Sequence, residues 1–154
     1  MVPSVVFSEV HYHPLVGPAE HPGAEDGEDE EFLELYSADG LGANLSEWSL
    51  RGGVTFDFPL GTLVSPGGYL VVARDQIKLA EKHGISNIVG NFEGRLANGE
   101  EYVALYDRRG NFVDAVNYRD SGEWPYGADG FGRSLEKAVL SLSGSDPANW
   151  ESSL

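Results

Sequence analysis

Three observations predict an all-β domain built as a β-sandwich. Short runs of alternating apolar and polar residues recur along the chain. Gly, Pro and Asn clusters separate them, and only one stretch has helical spacing. A chain of 154 residues with 41% hydrophobic content and seventeen aromatics is long and apolar enough for one packed core, expected over residues 4–150. No period of 20–50 residues repeats.

The first strand is expected in Ser4–Pro14 (SVVFSEVHYHP), with the even positions Val6, Val10 and Tyr12 suiting a core face. Its odd positions start apolar at Val5 and Phe7 and turn polar at Glu9, His11 and His13. Residues 15–30, broken by Gly and Pro and then strongly acidic, read as a surface loop held extended by like charges. Glu31–Tyr36 follows as a strand with Leu33 and Leu35 inward and Phe32, Glu34 and Tyr36 outward. Leu45–Leu50 carries Trp48 as a core anchor; Val54, Phe56 and Phe58 alternate against Thr55 and Asp57. Tyr69–Ala73 (YLVVA) is apolar on both faces and reads as a buried strand.

One short peripheral helix is predicted near residues 75–83. Asp75 is a suitable cap, Ile77 and Ala80 form its apolar stripe, and Gly84 stops it, so that it covers an open end of the sandwich. The most legible stretch is Leu96–Tyr118, a β-meander. Val103 and Leu105 share one face, Tyr102, Ala104 and Tyr106 the other, and Asp107-Arg108-Arg109-Gly110 turns the chain. Asn98-Gly99 is a favoured hairpin dipeptide, so Phe92–Leu96 is expected to pair with the strand that follows it. In the strand after the turn, Phe112, Val116 and Tyr118 share one parity and Val113 and Ala115 the other. Either both faces are covered or a bulge intervenes. A short strand at Arg133–Glu136 and an irregular end at Asp146–Trp150 complete the chain.

The formal charge is −15, and residues 20–31 hold seven of the 25 acids and none of the ten bases. A duplex partner needs clustered cations to displace phosphate counterions, and Arg108-Arg109 is the only adjacent basic pair. Nucleic acid and anionic membranes are poor partners for this chain; calcium or a basic partner is the natural complement. No run of about 18 apolar residues is present to span a bilayer. With no Cys, disulfides and thiolate metal sites are excluded. Met1-Val2-Pro3 leads directly into a strand without a signal sequence, so an exported parent would have had its signal left out of this excised domain.

No catalytic constellation is visible. There is no G-x-S-x-G elbow, and Gly127–Gly132 (GADGFG) lacks the Lys-Ser/Thr of a phosphate loop. The metal candidates are Glu9, His11 and His13, which alternate along one strand about 7 Å apart. Glu34 would lie on an adjacent strand, and Asp29 and Glu31 could arch back over them. Their oxygens suit calcium and the two His suit zinc; the plainer reading is a polar strand end beside a solvated loop. No EF-hand pattern occurs. Trp124, Tyr126 and Phe131, in a Gly-rich segment, are candidates for stacking on sugars, against the plainer reading that Trp124 and Trp150 plug the ends of the sandwich.

Taken in order, SEVHYHP, EFLELYS, LSEWSL, FPLGTLVSPGGYLVVA, GRLANGEEYVALYDRRGNFVDAVNY, WP, DGFGRSLE and NW resemble the lamin tail domain, most closely its bacterial branch. The set spans about residues 4–150. This chain departs from that pattern with Ser8 and Ser37 where Asn is usual, with Glu47 where Gly is usual before the tryptophan, and with a longer acidic insertion. The resemblance implies an immunoglobulin-like fold and a non-catalytic module for interaction or assembly within a larger, exported bacterial protein. Any catalysis would then reside in other domains. The expected location is extracellular, periplasmic or cell-surface, with a protein partner or self-association. No cofactor is required. A calcium-stabilised carbohydrate-binding module, with polysaccharide as ligand, is the alternative.

Overall fold

The computed structural model describes residues 5–11, 31–94, 96, 100–119, 135–137 and 150–152. The acidic loop, the Asn98-Gly99 turn and the Trp124–Phe131 segment lie outside these. Among the described residues, two main sheets face each other. One has six strands in the order β13 (Trp150–Ser152), β12 (Leu135–Lys137), β1 (Val5–His11), β2 (Phe32–Ser37), β7 (Tyr69–Ala73) and β8 (Ile88–Gly90). The other runs β11 (Phe112–Arg119), β10 (Glu100–Tyr106), β4 (Ser49–Gly52), β5 (Val54–Asp57) and β9 (Glu93–Gly94). A small ribbon pairs β3 (Ala43–Asn44) with β6 (Leu63–Val64). The architecture is the predicted sandwich, and its core is filled from both inner faces by Phe7, Val10, Leu33, Leu35, Leu50, Phe56, Val72, Val103, Leu105, Val116 and Tyr118, all buried. Trp48 packs half-buried against this core, and Trp150 is buried within it.

The mixed parity of β1 has a simple cause. Its register against β2 slips between Phe7 and Glu9, so Ser8 and Glu9 together oppose Glu34. Such a bulge moves the inward set from Val5 and Phe7 to Val10, which turns Glu9 and His11 outward. The expectation of a uniform even-numbered core face is corrected accordingly: Val6 is buried but outside the central cluster. Asp114, on the facing sheet, accepts a hydrogen bond from the Phe7 N–H at 2.9 Å and ties the two sheets together beside the bulge. A second bulge sits between Leu105 and Tyr106, where Val113 is the extra residue. It resolves the ambiguity in β11, because Val116 and Tyr118 can face inward while Val113 still packs against the core.

The hairpin turn forms as expected. Gly110 adopts φ 81° and donates to Asp107 O at 3.0 Å. The Asp107 carboxylate accepts amide hydrogens from Arg109 and Asn111, each at 2.9 Å. The bond from the Asn111 amide is the main cause holding this carboxyl below the usual aspartate range.

The helix α1 (Gln76–His83) has the predicted caps: Asp75 accepts from Lys78 N–H at 3.0 Å and Gly84 takes a left-handed conformation. Its position and buried face differ from expectation. Ile77 is exposed, and the buried residue is Leu79, which packs with Val71, Ala73 and Ile88 on the outer face of the six-stranded sheet. The helix is the crossover between β7 and β8, which run parallel, a connection that cannot be made by a tight turn. It therefore covers a sheet face rather than an open end, and it explains why YLVVA is apolar on both sides.

Two further corrections concern pairing. Glu93–Gly94 pairs with β5, with no register to β10 among the described residues, because β10 has β11 along one edge and β4 along the other. Trp150, expected to close an irregular end, instead begins Trp150–Ser152, the outermost strand of the six-stranded sheet beside β12, which lies at Leu135–Lys137; residues 146–149 lie outside the described residues.

Candidate functional site

The outer face of the six-stranded sheet gathers the polar candidates. Residues directly opposed in an antiparallel pair share a face, and Glu9 stands opposite Glu34 on β2. On the other side Glu9 stands opposite Glu136, itself opposite Glu151. Four glutamate positions on four adjacent strands thus form one row. Glu9 and Glu34 carry like charges that repel across their pair, and Ser8, re-aimed by the bulge, eases this by donating to the Glu34 carboxylate at 2.7 Å. His11 lies one row along, half-buried, with its ring edge-on to Phe32 at 5.2 Å.

A groove of about 280 Å³ opens beside this row, between α1 and the sheet. Its floor is apolar, from Phe32, Val71, Leu79 and Ile85; Glu9 and Glu34 line it from the sheet and His83 from the end of α1. Sequence reasoning had no access to the helix side of this groove. The signal is partial: the second apolar face of YLVVA requires a cover, but of the expected stripe Ile77 is exposed and Ala80 packs half-buried, while Leu79 is the residue that seals the face.

Of the six metal candidates, the structure brings together Glu9 and Glu34, with His11 on the same face. Glu31 goes elsewhere. It is 1% exposed and on the opposite parity of β2. Its carboxylate accepts the Leu96 N–H at 2.7 Å and lies 3.5 Å from the Arg74 guanidinium. This role ties β2 to the segment after β9. His13 and Asp29 lie outside the described residues, as do the stacking candidates Trp124, Tyr126 and Phe131. Among the described residues no group of three or more His, Asp or Glu side chains is arranged to hold a metal ion, and no helix is long and apolar enough to cross a membrane.

The positions that depart from the lamin tail pattern have identifiable roles. Ser37, fully buried, accepts the Gly42 N–H at 2.9 Å, which pins the loop between β2 and β3. Ser8 holds Glu34 as described. Glu47 adopts φ 65°, a left-handed conformation that glycine takes freely and other residues do not.

No curated protein matches the chain. A family profile described as Lamin Tail Domain matches residues 2–120, more than half of its length, and leaves WP, DGFGRSLE and NW beyond the match. The chain belongs to the lamin tail domain family, as an immunoglobulin-like interaction module.

Proposed function

We propose that this domain is a non-catalytic interaction module of a larger, exported bacterial protein, and that it meets the basic surface of a protein partner with the outer face of its six-stranded sheet. The observation that carries this reading is the cross-strand row containing Glu9 and Glu34. It concentrates negative charge on one face of a chain already at −15. Such a field steers cationic partners and raises their association rate in a salt-dependent way. The test is calorimetric titration with decalysine and, as control, decaglutamate. Association with decalysine alone, weakening at least tenfold between 50 and 300 mM salt, is expected. No association at 50 mM salt refutes the reading.

The opposed Glu9–Glu34 pair also favours a second reading, a calcium-stabilised domain. Calcium at ten times its dissociation constant would add about 1.4 kcal/mol, a rise in Tm of roughly 3–6 °C for a chain of this size. An unchanged Tm in millimolar calcium at fixed ionic strength removes it. For carbohydrate, the described surface offers weaker support: Tyr106 and Phe112 meet at 78° and Tyr36 and Tyr69 at 40°, not as a coplanar platform.

A further inference from the structure

We infer that the groove between α1 and the six-stranded sheet is a receptor for a single arginine or lysine side chain of the partner protein. This deepens the acidic-face reading and rests on it. Three features of the groove converge on that ligand. First, its volume of about 280 Å³ lies just below the roughly 300–1,000 Å³ of small-molecule pockets, a size for one long side chain.

Second, the lining is divided by chemistry. Phe32, Val71 and Leu79 offer an apolar floor contributed by three separate elements. Glu9 and Glu34 stand together at the sheet side, directly opposed in register. Lysine and arginine are the side chains that carry a long apolar stem and a cationic head, and they bury the former while keeping the latter paired or wet. A wholly apolar side chain would leave the carboxylates facing hydrocarbon. A carboxylate ligand would be repelled.

Third, six of the seven lining residues sit on strands or on α1, with Ile85 alone in the loop after the helix. Leu79 is anchored in a sheet-packed cluster with Val71 and Ile88, and α1 is capped at both ends by Asp75 and Gly84. The bulge at Ser8 turns Glu9 to the outer face, and the Ser8 hydroxyl orients Glu34. A site held this way needs little reordering to bind. A second copy of this chain, also at −15, has the wrong sign to be the general occupant.

The test uses the full chain, isotope-labelled, titrated with the capped peptides Gly-Arg-Gly and Gly-Lys-Gly. The same peptides with citrulline or norleucine at the centre serve as neutral isosteres. The cationic peptides should shift the amide resonances of Phe32, Glu34, Leu79 and His83, with both isosteres at least tenfold weaker. The double variant E9Q/E34Q should weaken the cationic peptides at least tenfold, and E47Q/E81Q, which removes the same charge from exposed positions, less than twofold. Equal binding of citrulline and arginine overturns the proposal, because recognition would then not depend on charge. Equal weakening by the two double variants also overturns it, since the overall field would suffice. If the short peptides fail while decalysine binds, the groove assignment falls and the acidic-face reading stands; if decalysine also fails, both fall.

Discussion

Replacing Glu31 tests the reading that this buried carboxylate is an architectural group. The side chain is 1% exposed, and its best contact is the 2.7 Å hydrogen bond from the Leu96 amide, itself in the core. Glu31→Ala would take the acceptor from a buried N–H, which costs about 1–3 kcal/mol. It would also remove the Arg74 contact at 3.5 Å. Arg74 is 29% exposed over its side chain, but the Nη1 atom that meets Glu31 is itself buried, so this contact adds about 1 kcal/mol. The sum is a loss of about 2–4 kcal/mol, or roughly 4–16 °C in Tm for a chain of this size. Glu31→Gln retains an oxygen acceptor for Leu96 and should lose less, about 1–2 kcal/mol. Urea unfolding followed by circular dichroism measures both, with Arg74→Ala as the third arm. A loss below 1 kcal/mol for Glu31→Ala refutes the reasoning. So does an Arg74→Ala loss as large, since the ion pair rather than the amide would then be the anchor. Any calcium response should survive Glu31→Gln, because Glu31 faces away from Glu9 and Glu34.

Three other perturbations follow from named contacts. Glu47→Gly should stabilise the domain by about 0.5–1 kcal/mol in thermal unfolding, since relief of the left-handed strain exceeds the added freedom of the unfolded chain; a destabilised variant contradicts this. Asp114→Ala should cost about 1–2 kcal/mol and speed hydrogen exchange at the Phe7 amide, whose acceptor it removes; unchanged exchange contradicts the inter-sheet tie. For Asp107 the folded pKa is lowered, so its contribution is present above the unfolded value near 3.8 and is lost as pH falls through the folded value. The Tm difference between the protein and its Asp107→Ala variant should therefore be largest near neutral pH and shrink in acid, and a gap that widens in acid would show the sign to be wrong.

Local physics was legible in the sequence where each residue's neighbours in the chain decide its environment. Alternation placed Leu33 and Leu35 inward, Asp75 and Gly84 bounded the helix, and Asp107–Gly110 turned the meander. What was hidden depends on partners far along the chain. The bulge at Ser8 appears in sequence only as a change of parity, and nothing local says that Glu34 is the residue it faces. Likewise, IVG is too short to announce itself as β8, so the peripheral helix before it reads in the sequence as the cover of an open end rather than as a parallel crossover. For the site, Glu9, His11 and Glu34 could be grouped from strand periodicity alone. The groove could not, because Leu79 and His83 reach it through the crossover. Glu31 illustrates the opposite error: an acid at the end of an acidic run reads as solvated, yet the inward parity it shares with Leu33 and Leu35 puts it in the core.

The central claim is that the outer face of the six-stranded sheet is the interaction surface. The most direct measurement is amide chemical-shift mapping of the isotope-labelled chain with decalysine. The account predicts that the largest shifts fall on β1, β2 and the C-terminal half of α1, including Glu9, Glu34 and His83. Shifts centred instead on Tyr102 and Phe112, on the outer face of the five-stranded sheet, would contradict it.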